Sequence, residues 1–477
     1  MNPKDWMAIL ACFASHGLFA KPTDAYLEVD VAIIGGGATG AYAAIRLRED
    51  YDKSVLVIDK ANRLGGHVHA YKPGPNERPI NYGVQAYLNR NTTASFFERF
   101  NVSLIDPEIS DYIELLFLTK NVDFSTGLTV DVDYGPLDAV GVPVALLRYL
   151  ELAVKYQPWF ENGYFQTGDV PEDLLLPFGE FLEKYDLGGS LGILRNLLWL
   201  SDALNTPTWF VMAVVGQPQI AAFGLGLAGP SFKWPETYSS ETLFDRVLDT
   251  LGDDVLLEST VAQSYRTSGG VELVVQTPFG EKKVKAKKLL IAATPSPENV
   301  GNWDLDENEQ DIFSKFSWES LYVGVIGKTG LPSRVTGIRN AADNAADFYL
   351  PHGDFVDAFD RAGSLINGAQ DLWTTRVIGQ SGLSSEEARS LIQRTFNQID
   401  SAGTYSIEQP ELLAFVSHGA TVPKVSPEAL KAGFYEQLYA LQGQRSTFWT
   451  GLAWAPDYTP ILWDFTEKLF PQILQDL

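Results

Sequence analysis

The chain is 477 residues long, 45% apolar and 20% charged, the make-up of a soluble globular protein with room for a large core and two structural domains. Its net charge of −24 repels phosphate backbones and anionic lipid, which sets aside nucleic acid and acidic membranes as partners. The one cysteine, Cys12, leaves no disulfide and no thiolate metal site. No His, Asp and Glu cluster has metal-ligand spacing, and no Ser-His-Asp order suggests acyl transfer.

Residues 1–20 stand apart. Lys4 precedes an apolar run, and Leu18-Phe19-Ala20 has the form of a cleavage site. This is a secretory signal peptide in outline, too short and too interrupted by Ser15, His16 and Gly17 to span a membrane. Cleavage would remove Cys12 and send the mature chain to the secretory-pathway lumen or outside the cell. Two sequons, Asn91-Thr92-Thr93 and Asn101-Val102-Ser103, are compatible with a glycoprotein on that route.

Residues 29–66 are the stretch the rest is organised around. Residues 29–34 form a short β-branched run, read as a buried parallel strand. It runs into Gly35-Gly36-Gly37-Ala38-Thr39-Gly40, which fits G-x-G-x-x-G at Gly35, Gly37 and Gly40. An alanine-rich helix follows, then a second apolar strand at residues 54–58, closed by Asp59. Gly35 permits the turn, Gly37 lets the backbone approach a pyrophosphate, and Gly40 lets helix and sheet pack closely. The helix start at Ala38 and Thr39 offers unpaired N–H groups to phosphate, and Asp59 can accept from a ribose diol. In this order the elements predict a dinucleotide site rather than a glycine-rich structural turn.

After Asp59 come Lys60, Arg63 and Gly65-Gly66-His67. A second glycine pair beside a basic residue suggests a second backbone approach to the same phosphates, which a nicotinamide-only domain does not need. Here the chain resembles the FAD-dependent amine-oxidase superfamily, whose second strand ends in an acid followed by R-x-G-G. The resemblance implies FAD, with NAD as the alternative. It also implies an α/β (overall α+β) fold: a Rossmann-like FAD-binding domain with an interleaved, largely helical substrate or cap domain. Residues 28–100, 236–300 and 431–477 would form the first, and 101–235 with 301–430 the second.

Further along, Ile80-Asn81-Tyr82-Gly83 is similar to the superfamily's element against the flavin, though Asn81 stands where an acid is usual. Val144–Tyr156 and the set Phe178, Phe181, Leu182 and Tyr185 have helical spacing, with Pro177 placed to open the second helix. Glu241–Leu251 reads as an amphipathic helix. Strands follow at residues 255–261, 271–276 and 283–287, and the chain then reaches Leu289-Leu290-Ile291-Ala292-Ala293-Thr294-Pro295. The resemblance gives Val261 a backbone contact to adenine. A strand is expected at residues 321–326, with a helix at 385–399. Lys328 matches the region where amine oxidases hold a water near flavin N5, although a surface lysine is the plain alternative. Gly451 corresponds to the glycine closing the FAD site, followed here by Leu452 instead of an acid. Residues 457–469 supply the last helix. Phe448, Trp449, Trp454 and Tyr458 either line a pocket or fill core.

Two finer likenesses narrow the field. The N-terminal block through Gly65-Gly66-His67-Val68-His69 looks most like the fungal β-cyclopiazonate dehydrogenase family. Residues 172–182, with Lys431-Ala432-Gly433-Phe434-Tyr435 and Gln442-Gly443-Gln444-Arg445, resemble a bacterial FAD-dependent polyunsaturated fatty acid isomerase. Both imply hydride transfer from a substrate carbon to flavin. The dehydrogenase keeps the hydride on the cofactor until an acceptor, with molecular oxygen one candidate, removes it; the isomerase returns it to a neighbouring carbon. The expected partner is a small apolar or aromatic metabolite of fungal secondary metabolism. A non-catalytic flavoprotein is the competitor from another class. His67 and His69 are candidates for flavin contact and for a general base respectively, with covalent flavin attachment or a simple phosphate or backbone hydrogen bond as alternatives.

Overall fold

In the computed structural model the structure describes residues 26–75, 77–106, 119–133, 135–136, 144–164, 168–222, 232–362 and 371–477. The leader at residues 1–20 lies outside them.

The first sheet has seven strands. Leu27–Ile34 lies at its middle, parallel to Gly280–Ile291 on one side and to Val55–Ile58 on the other. Val255–Leu256 extends the parallel run beyond Val55–Ile58, and Thr447–Trp449 adds in parallel to the end of Gly280–Ile291. Val31, Ala32, Ile33 and Val57 have no exposed surface, as continuous apolar strands covered on both faces should not. Gly280–Ile291 changes character along its length. Its first half alternates exposed lysines with buried Val284 and Ala286, and pairs antiparallel with Gly270–Thr277; its end, Leu289-Leu290-Ile291, is wholly buried among parallel neighbours. Thr260–Thr267 completes the antiparallel meander.

Helix Ala38–Ile45 follows the first strand and is clasped by Glu241–Leu251 and by the last helix, Thr459–Ile473. Tyr42 stacks on Trp463 with ring centroids 4.9 Å apart, and Trp463 Nε1–H donates to the Ala38 carbonyl at 3.0 Å. The expected helix at residues 457–469 therefore exists as Thr459–Ile473, with Pro460 in its first turn, where a missing N–H costs nothing.

The second lobe combines helices and a sheet. Val144–Tyr156 and Phe178–Tyr185 are helical as their spacing predicts, Pro177 does precede Phe178–Tyr185, and Thr208–Val214 and Gln217–Ala222 are further helices. These helices share one continuous hydrophobic core with the seven-stranded sheet. Five strands between residues 317 and 424, with Thr119–Val122 at the edge, add a six-stranded sheet, ordered Glu411–Lys424, Ser317–Gly327, Leu372–Gln380, Phe355–Arg361, Gly337–Asn340 and Thr119–Val122. Only its strand at residues 321–326 is read from the sequence. The helix Ser385–Ser401, opened by a Ser384–Glu387 capping box, covers one face through Ala388, Ile392 and Phe396. Among the described residues no helix is long and apolar enough to cross a membrane.

Candidate active site

Glycine-bearing turns meet where the parallel strands end. Gly35, at φ +93°, turns the chain off the first strand, and a Cβ there would lie 3.0 Å from the Ala293 nitrogen. A Cβ on Gly40 would fall 1.9 Å from the Gly35 carbonyl oxygen. Both positions are glycine because the protein's own backbones touch there. Gly37 is different. It has ordinary φ, and the nearest atom a Cβ would meet is the Gly66 α-carbon, 3.7 Å away. Among the described residues a Cβ there meets no second atom within 4 Å, and no side chain caps the free amides at this start of helix Ala38–Ile45. Open space beside uncapped helix amides is what a pyrophosphate requires.

The second glycine pair is bound to the first. Gly65 N–H donates to the Gly36 carbonyl at 2.9 Å, and Gly37 bridges Gly65 in parallel. Arg63 braces this loop, donating to the carbonyls of Leu64 (2.9 Å), Gly66 (3.2 Å) and Val68. It thus organises the backbone that would approach phosphate. Lys60 turns instead to Glu298 and Asn299, each 3.3 Å away on the surface. Thr39 is buried within the first helical turn.

Asp59 Oδ2 accepts from Gly36 N–H at 2.5 Å, and Oδ1 from Ala61 N–H at 2.7 Å. Burial raises this carboxyl above its usual range, and those two amides pull the other way. Each oxygen keeps lone-pair capacity for a ribose hydroxyl. The backbone beside it is that of Glu258 and Ser259, which donate at 2.8 Å to the carbonyls of Ala61 and Asp59. The expected strand at residues 255–261 is therefore broken: Val255–Leu256 ends it, Glu258 takes φ +50°, and Val261 lies in the next strand opposite Val275. Gly451, at φ +98°, packs on the backbone after the Gly280–Ile291 strand, where a Cβ would meet the Ala292 carbonyl oxygen at 2.9 Å.

Three imidazoles gather beside this cradle. His67 and His418 stack face to face, centroids 4.2 Å apart and planes within 2°, and His67 Nε2 lies 3.1 Å from the His418 carbonyl oxygen. A carbonyl only accepts, so His67 carries its proton on Nε2 and presents a lone pair at Nδ1. His69 Nδ1 sits 2.7 Å from an Arg63 amino group, which only donates. Its lone pair is therefore taken. Burial and the Arg63 charge also press its pKa down to about 3, which corrects the expectation of a His69 general base. Gly83 is needed where a Cβ would strike the His67 carbonyl oxygen at 2.0 Å.

Lys328 lies elsewhere. It follows the far end of Ser317–Gly327, where Gly327 opposes Glu411, and it forms an exposed ion pair with Glu411 at 2.7 Å. His418 is midway along the same pair of strands, at a bulge where Ser320 opposes Ala420 but Tyr322 opposes Ser417. This exposed pair fits the surface alternative for Lys328. The residues the sequence reading misses are His418, Asp457, Glu258 and Ser259. The first is re-aimed by the bulge and by Gly419 at φ +70°, which the Ser-His-Gly tripeptide signals only faintly. Trp449 and Trp454 are fully buried, their centroids 6.1 Å apart, so this C-terminal patch is core.

A strand–glycine–helix cradle with a second glycine loop and a half-buried acid at the end of the second strand, joined to a mixed second lobe, gives the chain a Rossmann-like dinucleotide fold of the amine-oxidase type. The family profile of the NAD(P)-binding Rossmann-like domain matches residues 33–100. Among solved structures, the CLA-producing fatty acid isomerase from P. acnes superposes with a TM-score of 0.71 over 93% of this chain and 98% of that one, at 19% identity. A putrescine oxidase variant gives a TM-score of 0.63 over 94% and 100%, at 15% identity. These likenesses show the fold.

Sequence relatives show the family. β-Cyclopiazonate dehydrogenase of Aspergillus oryzae is 32% identical over 96% of this chain and 95% of its own length. FAD-dependent oxidoreductase pigF of Monascus ruber is 32% identical over 98% and 97%, and oblC of Cochliobolus heterostrophus is 32% identical over 94% and 92%. The chain belongs to this family of fungal FAD-dependent oxidoreductases. Its cofactor is FAD.

Proposed function

We propose that this oxidoreductase takes a hydride from a carbon of a small apolar or aromatic secondary metabolite, with the bare Gly37 α-carbon and the helix amides after it, backed by Gly66, receiving the FAD pyrophosphate. The observation that carries this reading is the opening at Gly37, the one cradle glycine whose absent side chain meets no close protein atom. Bound FAD would supply the two-electron acceptor. The chain supplies the rest: amides of Ala38 and Thr39 for phosphate, Asp59 with the neighbouring Glu258–Ser259 backbone for the adenosine end, and Gly83 and Gly451 as close backbone contacts. Catalysis then comes mainly from holding the donor carbon in line and excluding water.

The test is anaerobic. The purified protein, offered fractions of its producer's metabolite extract, should lose flavin absorbance at 450 nm and keep it lost until an acceptor is added. A second reading, redox-neutral double-bond isomerisation, is favoured by the likeness to the fatty acid isomerase. Brief bleaching that recovers without oxygen, together with an isomerised product, would select it. A yellow protein that no fraction reduces would leave only a non-catalytic flavoprotein.

We also propose passage through the secretory pathway. The leader-like residues 1–20, the absence of cysteine beyond Cys12 and the exposed sequon residues Asn91 and Asn101 support it. N-terminal sequencing of the mature protein, expected to begin after Ala20, with a mass shift on deglycosylation, is the check.

A further inference from the structure

The His67–His418 stack draws on three distant parts of the chain. His67 comes from the second glycine loop, one residue after Gly66, and His418 comes from the bulged strand of the six-stranded sheet. The third part is the segment between Gly451 and the last helix, which brings Asp457 near enough for its charge to act on His67. The stack is held rather than loose. His67 Nε2–H is fixed on the His418 carbonyl, and His418 Nε2 is itself buried with no partner among the described residues.

The charges around His67 oppose one another. Arg63 and Lys60, from its own loop, disfavour a second proton on the ring, as does burial; Asp457 favours it. His418 faces it from the sheet and lies in the same field of Arg63 and His69. Asp457 is in turn partly buried, with Tyr164 and Tyr458 within its influence. Burial wins in the resting arrangement and both members are held towards neutrality: His67 below its usual range, Asp457 above its own. Such a balance is tipped by one new negative charge nearby.

We propose that His67 is the redox-linked proton acceptor of this site: neutral while bound FAD is oxidised, it takes one proton at Nδ1 when the cofactor gains two electrons. This rests on the FAD oxidoreductase reading above. The donor breaks a C–H bond and loses, in all, two electrons and two protons. The hydride carries both electrons and one proton equivalent to the cofactor. The second proton, from the donor's heteroatom or adjacent carbon, ends on His67 Nδ1, with Asp457 as its counter-charge. Here His67 meets the reaction directly, whereas His418 is a positioning residue acting through its carbonyl and stacked ring.

No substrate is needed for the test. The FAD-loaded protein is reduced electrochemically with mediator dyes, from neutral to mildly alkaline pH, where a reduced flavin left to itself takes up one proton per two electrons. Wild type should take up two, so that its midpoint potential falls twice as steeply with pH. His67→Gln keeps an N–H at the Nε2 position for the His418 carbonyl but cannot titrate, and its slope should halve. Equal slopes in the two proteins would overturn the proposal. If the variant does not fold, nitrogen-15 NMR of histidine-labelled wild type decides: His67 Nδ1 should change from lone-pair to protonated nitrogen on dithionite reduction, and an unchanged shift refutes it. Protein that binds no FAD would fail the cofactor reading; protein that binds it without a steepened slope fails this inference alone.

Discussion

Gly37 and Gly66 stand back to back: a Cβ on Gly66 would come within 2.9 Å of the Gly37 α-carbon, while a Cβ on Gly37 meets nothing nearer than 3.7 Å. One side of this contact is sealed by protein and the other is open. The asymmetry separates glycines required for folding from the glycine required for the cofactor.

Gly37→Val should therefore fold and bind no FAD, because its side chain occupies phosphate space and no protein space. Gly40→Val drives atoms into the Gly35 carbonyl and should cost several kcal/mol of stability, in the range of severe overpacking or backbone displacement. Far-UV circular dichroism with flavin content after heat release distinguishes the two. Full flavin in Gly37→Val would remove the pyrophosphate from this position.

Asp59→Ala should weaken FAD retention by about 1–3 kcal/mol, the scale of hydrogen bonds to a charged acceptor. It also strands the Gly36 and Ala61 amides, so apoprotein stability should fall as well. Isothermal titration of apoprotein with FAD measures the first effect and urea denaturation the second. An unchanged dissociation constant would mean that the ribose lies elsewhere.

Acid should destabilise the apoprotein through its histidines. His67, His69 and His418 all have folded pKa values below the ordinary one, mainly because burial disfavours the cation. Their neutral forms support the fold fully above the unfolded pKa of about 6.5. That support is lost as pH falls below it, with His69 resisting protonation down to about 3. The thermal midpoint should drop from pH 7 to pH 5 (both chosen to bracket the ordinary histidine value, about 6.5), and less steeply in His69→Gln. Parallel curves would show that His69 is not held neutral.

Arg266 is wholly buried and donates to Glu309 at 2.7 and 2.8 Å and to Asp304 at 2.8 Å, with Arg445 closing the network on the same two acids. Arg266→Leu leaves Glu309 buried and short of charge compensation, and should cost about 3–5 kcal/mol. Urea denaturation checks it. The arginine of the Gln442-Gly443-Gln444-Arg445 motif thus has a structural occupation, tying the C-terminal turn to the meander.

Lys328→Ala should leave FAD binding and flavin reduction at wild-type levels, since its ammonium engages only exposed Glu411 in the ion pair described. A loss of reduction rate with flavin content intact would return this lysine to the active site.

The dinucleotide unit was legible because its requirements are local. Turn, helix start and strand-end acid fall within residues 29–66, and hydrophobic period reports them directly. Val144–Tyr156 and Glu241–Leu251 were legible for the same reason. Glu411–Lys424 was not: most of its residues are half-buried, so its sequence carries neither clear alternation nor a closed apolar run. His418 and Asp457 reach His67 only through tertiary folding, at sequence separations of 351 and 390, and no spacing rule spans that distance. The Lys328 expectation rested on a likeness aligned loosely, which cannot say which end of a strand a residue occupies.

The last thirty-one residues carry a strand of the nucleotide sheet, Thr447–Trp449, and the helix whose Trp463 holds the Ala38 carbonyl. On a ribosome the N-terminal half of the cradle emerges some four hundred residues before its clasp. Loading of the prosthetic group thus waits until residues 447–473 have been made, and a polypeptide that stops short of Thr447 would hold the glycine turns without their clasp and should stay colourless.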